Sequence, residues 1–313
     1  MHGGSGDDIV YSYDGNDQIW GGSGDDNLYA RLGDNEIYGG EGDDIIIIEK
    51  QSVAEDGNND LHGDEGDDTI KGGNGADDIH GGDGDDMLTG FDGDDEIWGG
   101  RGDDILEAGE LSGGELKQDV LRGGEGDDFL FGCFMDDPTG ESSTCGGSQG
   151  SWWAYGDEGN DVIWGKNNMQ GEYVWGGEGH DEIHGGNMNQ DTFINGNDGD
   201  DVIYPGNAPQ NQEVISGGKG DDMINPLILE FNEDGTLNPD SLGAEYGNSA
   251  VTRAQWFGNE GDDIMFGRKK PNMEMQFYGG AGNDTLYGSY RPNRNQVLAG
   301  DGGKDLIRTD IYM

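Results

Sequence analysis

Apolar residues along this chain come in short groups that recur at a fixed distance. A large aliphatic residue follows a turn rich in glycine and aspartate, as in "GGSGDDIVY" at Gly3–Tyr11 and "GGSGDDNLY" at Gly21–Tyr29. The apolar groups are too short for a helix, and the central residue of a short strand points to one face while its neighbours point to the other. The pattern therefore predicts very short strands joined by tight turns, with the aliphatic residue facing inward.

The repeat follows the consensus G-G-x-G-x-D-x-U-x, in which U is a large aliphatic residue, and it is nine residues long. Further copies are "GGRGDDILE" at Gly99–Glu107 and "GGAGNDTLY" at Gly279–Tyr287. Self-similarity at a fixed period is the signature of a repeat architecture. A single repeat cannot bury its aliphatic residue, whereas a stack of repeats buries a continuous row of them.

These repeats resemble the RTX family, the hemolysin-type calcium-binding nonapeptide repeats, over nearly the whole chain. The resemblance implies an all-β parallel β-roll, a β-solenoid in which six residues form a calcium-binding turn, three form a strand and two nonapeptides complete one coil. The residue chemistry agrees, because glycine permits positive φ in the turn and an aspartate at position six offers a hard oxygen ligand to a hard cation. We therefore expect Ca²⁺ as the cofactor, at roughly 10–14 ions per chain.

Successive turns, counted from Gly3, alternate between two edges of the predicted roll, which we name the odd edge and the even edge. The odd turns all keep the aspartate, whereas Asn35 and Asn59 replace it on the even edge and the motif is lost there after Gly132. We expect about 13 coils, with calcium turns continuous along the odd edge and irregular loops on the even edge. The predicted metal ligands on the odd edge are Asp8, Asp26, Asp44, Asp68, Asp86, Asp104, Asp128, Asp161, Asp181, Asp201, Asp222, Asp263, Asp284 and Asp305, and those on the even edge are Asp17, Asp77 and Asp95.

One β-roll over residues 1–313 accounts for the repeats, with loop insertions at 48–53, 108–113, 132–151 and 226–252. The inward residue of each odd repeat lies two positions after its aspartate, from Val10 to Ile307. Cys133 and Cys145 share one insertion and form either a disulfide, which would indicate an oxidising compartment, or two free thiols. The chain enters a repeat at Gly3 without a preceding cap, which indicates a segment of a longer protein.

The charge of the chain is strongly negative, with 16 basic against 67 acidic residues and a formal net charge of −51. Such a chain repels nucleic acid phosphates and anionic membrane surfaces and attracts cations. No apolar run reaches the roughly 18 residues of a membrane-spanning helix, so we expect neither membrane insertion nor a nucleic acid partner.

Few residues outside the turns form candidate catalytic or metal-binding motifs. "HDEIH" at His180–His184 differs from the zinc-protease motif, which needs H-E-x-x-H on a helix, and it leads from a glycine turn into a strand. No catalytic set of residues is evident, and we expect no enzymatic activity. Aromatic residues occupy many outward positions, either as a surface for a glycan or protein partner or as packing between neighbouring strands.

The expected function is a calcium-binding β-roll that folds on binding Ca²⁺ and acts as a rigid structural, adhesive or interaction module. The alternative is a C-terminal secretion and folding module of a larger secreted enzyme of the protease, lipase or epimerase type. The family resemblance implies an extracellular or cell-surface location, with type I secretion as a route, and the sequence leaves an intracellular scaffold open. A partner would contact the looped edge or the aromatic faces of the sheets.

Overall fold

A computed structural model describes residues 1–49, 57–109, 118–132, 151–165, 171–186, 191–206, 212–225, 253–267, 274–288 and 296–308. These residues divide into two compact units, Met1–Met169 and Gln170–Met313. Every regular element in the described ranges is a β-strand. Within those ranges there is no helix with the length and apolar character needed to cross a bilayer.

The first unit contains two sheets of eight strands each, numbered here in chain order. Sheet A consists of β1 (His2–Ser5), β3 (Gln18–Ser23), β5 (Glu36–Glu41), β7 (Asp60–Glu65), β9 (Asp78–Asp83), β11 (Glu96–Arg101), β13 (Gln118–Glu125) and β15 (Ser151–Glu158). Sheet B consists of β2 (Ile9–Tyr11), β4 (Asn27–Ala30), β6 (Ile45–Ile48), β8 (Thr69–Asn74), β10 (Met87–Asp92), β12 (Ile105–Glu107), β14 (Phe129–Phe131) and β16 (Val162–Trp164).

The second unit repeats this plan with six strands in each sheet. Its sheet A strands are β17 (Gly171–Glu178), β19 (Asp191–Asp198), β21 (Gln212–Lys219), β23 (Arg253–Glu260), β25 (Glu274–Ala281) and β27 (Gln296–Gly302). Its sheet B strands are β18 (Glu182–His184), β20 (Val202–Tyr204), β22 (Met223–Ile224), β24 (Ile264–Phe266), β26 (Thr285–Tyr287) and β28 (Leu306–Arg308).

Consecutive strands alternate between the two sheets, and within each unit a strand pairs in parallel with the strand two places further along the chain, up to the last strand of each sheet. The register places equal motif positions side by side, as in Ile19 against Ile37 and Leu28 against Ile46. One strand of each sheet makes one coil, so the predicted parallel β-roll is confirmed. The described strands amount to eight coils in the first unit and six in the second, slightly more than the predicted 13 or so.

The core of each unit lies between the two sheets and consists of the inward aliphatic residues. Burial alternates along the strands, and Ile37 of sheet A and Ile46 of sheet B are both fully buried. The predicted inward residues of the odd repeats are buried from Leu28 to Leu286. Val10 is only partly buried and Ile307 is 44% exposed, because β2 and β28 each pair with a strand on one side only among the described residues.

The second glycine of the odd turns is required by backbone conformation. Gly22 has a φ of 123°, and an added Cβ there would overlap the carbonyl of Gly4 in the preceding coil. Where the second glycine is replaced, the new residue is Asp or Asn, as at Asp64 and Asn197 with φ of 81° and 80°. Those two residue types tolerate the left-handed region better than others do.

The sheet A strands lengthen where the even turns lose their motif. They have six residues from β3 to β11 and eight from β13 to β25. Loss of the turn glycines lets the chain enter the extended conformation two residues earlier. Most of the predicted insertions lie outside the described residues. Two of the predicted bounds are wrong: Ile48, assigned to the first insertion, is the buried last residue of β6, and Ser151, assigned to the insertion 132–151, is the first residue of β15.

Candidate calcium ladder

The odd-edge aspartates form a hydrogen-bonded ladder along each unit. Each lies at the end of the turn that leads from sheet A to sheet B, and its backbone N–H donates to Oδ1 of the corresponding aspartate in the next coil. In the first unit the N···O distances from Asp8 to Asp161 are 2.7–2.9 Å. In the second unit, from Asp181 to Asp305, they are 2.9–3.1 Å. The stacking therefore fixes one oxygen of each carboxyl group from Asp26 to Asp161 and from Asp201 to Asp305.

The second carboxyl oxygen, Oδ2, points into the turn and is buried. Typical members of the ladder are at most 2% exposed, as are Asp86 and Asp104. Oδ2 is buried and accepts no hydrogen bond in Asp8, Asp26, Asp44, Asp68, Asp86, Asp104, Asp128, Asp201, Asp222, Asp263 and Asp284. A buried carboxylate oxygen without a donor is costly unless a cation or a proton compensates it.

Carbonyl oxygens converge on the same point as Oδ2. A Cβ placed on Gly81, the first glycine of the turn that contains Asp86, would lie 2.6 Å from the carbonyl oxygen of Gly99 in the next coil and closer still to Asp86 Oδ2. The same arrangement recurs at Gly63, whose neighbours are Asp68 Oδ2 and the Gly81 carbonyl. Absence of a side chain at the first glycine thus lets two oxygen atoms, the aspartate Oδ2 and the carbonyl of the next coil, lie close to the backbone, where a Cβ would overlap both.

Electrostatics in the ladder favours neutralisation. Burial is the main cause that raises the pKa of Asp86 to about 7 and that of Asp128 to about 8. The neighbouring carboxylates raise these pKa values further, and the backbone N–H bond to Oδ1 opposes the rise. The described residues contain no group of three or more His, Cys, Asp or Glu side chains arranged as a metal centre. A cation in this ladder would therefore take carboxylate oxygens from stacked turns together with backbone carbonyls, which is an oxygen set suited to Ca²⁺.

A comparison with protein-family models agrees with this geometry. The model of the RTX calcium-binding nonapeptide repeat matches residues 1–28, 20–47, 53–88, 89–110, 114–132, 153–167, 171–187, 191–207 and 276–289, which together are more than half of the chain. The chain belongs to the RTX calcium-binding repeat family. No curated protein matched the chain in a sequence search.

A second ladder, which the RTX consensus does not specify, runs along position five of the odd turns. The N–H of Asp103 donates to Asp85 Oδ1 at 2.9 Å, and the N–H of Asp85 donates to Asp67 Oδ1 at 2.9 Å. These side chains are exposed and accept from the next coil, whereas position six accepts from the preceding coil. Sequence reasoning overlooked this role, although the recurrence of two acidic residues in "GDD" was the available signal.

The even edge of the first unit carries a ladder of the same kind. Asn59 N–H donates to Asp77 Oδ1 at 2.8 Å, Asp77 N–H to Asp95 Oδ1 at 3.0 Å, and Asp95 N–H to Asp119 Oδ1 at 3.3 Å. Asp119 was not among the predicted ligands because its turn lacks the glycines. The predicted ligand Asp17 differs from the odd-edge set, because its Oδ2 accepts a hydrogen bond from the Ser12 hydroxyl. Loss of the glycine motif therefore does not interrupt the stacking of position six.

The histidines of "HDEIH" serve separate structural contacts in this RTX chain. His180 Nδ1 accepts from the N–H of Asp200 at 2.7 Å in the position-five ladder. His184 Nε2 lies 2.7 Å from Glu182 Oε1 on the outer face of β18. The two rings belong to a turn and a strand, as the sequence indicated. The Cys133–Cys145 pair lies outside the described residues.

The outward aromatic residues stack on one another between coils. Along sheet A of the first unit, ring centroids are 4.7 Å apart for Tyr38 and His62, 4.7 Å for His62 and His80, and 4.4 Å for His80 and Trp98, with planes within 6° of parallel. The ring faces are thus covered by their neighbours and the edges point to solvent. This geometry favours packing between coils over face-to-face stacking with sugar rings.

Proposed function

We propose that the chain is a calcium-dependent structural module, which folds on binding Ca²⁺ and presents its loops to a partner. The observation that carries this proposal is the set of buried Oδ2 atoms on the odd edge that accept no hydrogen bond, as in Asp68 and Asp86, where Oδ2 and a glycine carbonyl of the next coil lie beside the same first glycine. Divalent cations between the turns would supply the missing positive charge. The family match supports calcium as that cation.

Folding and binding are coupled in this proposal because the ligands converge only in the stacked state. Oδ1 of one coil is fixed by the N–H of another, so an unfolded chain contains no preformed site. A ligand that binds only the folded chain stabilises it by mass action. Extracellular calcium modules bind at about 10⁻⁴–10⁻³ M, and we propose an extracellular setting in which such concentrations are met.

We propose that the folded module has a structural role and no catalytic one. Both histidines of the zinc-like motif make structural contacts, His180 in the position-five ladder between coils and His184 with Glu182 on its own strand. Covered ring faces support a partner protein at the even-edge loops over a glycan stacked on the sheets. The contacts that would define this partner lie in loops such as 226–252, outside the described residues.

The test is a calcium titration of the full chain, starting in EGTA and followed by far-UV circular dichroism and by metal analysis after dialysis. We expect a cooperative gain of β-signal at millimolar Ca²⁺, several bound ions per chain, and a much weaker response to Mg²⁺, which requires a stricter octahedral site. A chain that shows its full β-signal in EGTA and retains no calcium after dialysis would refute the proposal.

A further inference from the structure

Two even-edge turns of the first unit contain an amide at position six, where Asp17, Asp77, Asp95 and Asp119 stand in the neighbouring turns. Asn35 and Asn59 occupy position six and are only 2% and 3% exposed. Asn35 Nδ2 donates to the carbonyl of Gly33 and to Asn59 Oδ1, both at 2.9 Å. Asn59 Nδ2 donates to Asp77 Oδ1 at 2.8 Å, to the Gly57 carbonyl at 3.0 Å and to the Gly72 carbonyl at 3.4 Å.

The orientation of these amides is fixed by their surroundings. Oδ1 of Asn35 accepts from the N–H of Asp17 at 3.1 Å, and Oδ1 of Asn59 accepts from the N–H of Asn35 at 3.1 Å. A flipped amide would direct NH₂ at an N–H donor and oxygen at carbonyl oxygens, which loses hydrogen bonds on both sides. Nδ2 therefore takes the place that Oδ2 has in the aspartate turns.

One oxygen contacted by Asn59 Nδ2 corresponds to a carbonyl that lies beside the unpartnered Oδ2 on the odd edge. In the turn of Asp86, Oδ2 lies beside the first-glycine carbonyl of the next coil, Gly99. The corresponding carbonyl for Asn59 is that of Gly72, and the amide donates to it. The amide N–H thus presents a partial positive charge to this carbonyl oxygen. A carboxylate Oδ2 in the same position cannot do so.

The first position is glycine in the turns of Asp77 and Asp95 but not in the two asparagine turns, and in the Asp17 turn it is Ser12, whose hydroxyl donates to Asp17 Oδ2. Before Asp77 and Asp95 the first position is Gly72 and Gly90, and a Cβ on Gly72 would lie 2.5 Å from Asp77 Oδ2 and 3.0 Å from the Gly90 carbonyl. In the two asparagine turns the chain leaves sheet B at Ala30 and Ile48, which pair in register and are buried.

A side chain therefore stands at the position that is glycine in the turns of Asp77 and Asp95. Ala108 also precedes Asp119, and residues inside the turns of both Asn59 and Asp119 lie outside the described ranges, so the Asn35 turn, which is described throughout, carries the comparison.

We propose that Asn35 and Asn59, together with Ala30 and Ile48, close this section of the even edge to calcium and replace the ion by internal hydrogen bonds. The inference rests on the proposed function, since it concerns which turns take the ion. In this inference, these four residues determine which turns of the calcium-binding roll bind no metal. The section is held together by neutral contacts that need no metal.

The experiment compares the wild-type full chain with Ala30→Gly/Asn35→Asp, Asn35→Asp alone and Asn58→Asp. Asn58 is the matched control, because it is exposed, neighbours Asn59 and keeps an acceptor for the N–H of Ala76, now at 3.0 Å. All three variants add one negative charge. Bound calcium is counted by metal analysis at saturating Ca²⁺, and side-chain NH₂ exchange is followed by NMR in the calcium-loaded chain.

We expect the double variant to bind one more Ca²⁺ than wild type, because it restores both the carboxylate at position six and the glycine at the first position. Asn35→Asp alone should bind no additional ion and unfold at lower denaturant, and Asn58→Asp should match wild type. The NH₂ groups of Asn35 and Asn59 should exchange at least tenfold more slowly than that of Asn58.

Equal exchange of the three amides, or an unchanged calcium count in the double variant, would overturn the inference. A wild-type chain that binds no calcium would instead refute the proposed function, and this outcome is recognised by the absence of metal from all four proteins.

Discussion

Asp86→Asn should change the stability of this chain in opposite directions with and without calcium. The substitution keeps Oδ1 as acceptor for the N–H of Asp68, which now lies at 2.8 Å, and leaves the bond from its own N–H to Asp104 Oδ1 in place. It replaces the buried oxygen Oδ2 by NH₂ and removes one negative charge. The change in stability therefore measures the contribution of the charged oxygen Oδ2 to folding and to calcium binding.

The magnitude without metal follows from the pKa of Asp86. Burial raises this pKa from 3.8 to about 7 in the folded chain, so the folded state binds the proton more tightly than the unfolded state. The stability associated with the neutral carboxyl is fully present below about pH 4 and is lost as pH rises through about 7. An amide stays neutral at every pH, so at pH 8 in EGTA the variant should be more stable than wild type by on the order of 2–4 kcal/mol.

The sign reverses in calcium because the amide is no longer a ligand. The turn of Asp86 lies between those of Asp68 and Asp104, so the variant should lose one or two bound ions and require more Ca²⁺ to fold. The assay is far-UV circular dichroism against pH from 4 to 8 in EGTA, with urea unfolding and metal analysis in saturating Ca²⁺. In EGTA the loss of β-signal with rising pH should shift to higher pH in the variant.

Asp85→Asn is the matched control, because it removes the same charge from the neighbouring exposed residue and keeps Oδ1 as acceptor for the Asp103 N–H. Its effect should stay within about 0.5 kcal/mol in both conditions. If the two variants behave alike, or if Asp86→Asn is less stable than wild type in EGTA as well, burial of Oδ2 is not the cause and the reasoning is refuted.

Three further predictions concern the whole chain. Burial raises the pKa of Asp128 to about 8 in the folded chain, and protonation stabilises the folded metal-free chain at pH 6, so calcium binding at that pH should release protons, measured by calorimetry in buffers of different ionisation enthalpy, and apparent affinity should be lower at pH 6 than at pH 8. Gly82→Ala should cost more than 2 kcal/mol in urea unfolding, because φ is 131° and the methyl overlaps the Asp64 carbonyl, whereas Gly6→Ala, with φ of 91° and open space, should cost about 1 kcal/mol. Leu106→Ala should cost about 2–5 kcal/mol in the same assay because its side chain is fully buried, and equal losses in Ile105→Ala, where the side chain is 39% exposed, would contradict the assigned core.

The odd-edge ladder was predictable because its causes are local. Glycines that allow positive φ, an aspartate at position six and an inward aliphatic residue all lie within one nonapeptide. Stacking then places equal positions side by side whatever the length of the loop between them. Asp8 bonds to Asp26 across 18 residues and Asp222 to Asp263 across 41 residues by the same N–H···Oδ1 contact.

Other features depended on contacts between coils that no single repeat encodes. The direction in which Asp85 accepts a hydrogen bond is set by the coil that follows it. The outward aromatic residues left two interpretations open, and only the ring planes of His62 and His80 showed that each face is covered. The place of Ile48 at the end of a strand followed from its register against Ala30.

The sequence by itself determined the period, the parallel roll and the row of odd-edge aspartates, because turn geometry and burial of the aliphatic residue act within each repeat. The tertiary structure alone decided how each carboxyl group divides its two oxygens, and where an amide takes the place of a carboxylate. Those outcomes arise from the roughly 4.8 Å stacking of coils, which brings groups distant in the chain to hydrogen-bonding distance.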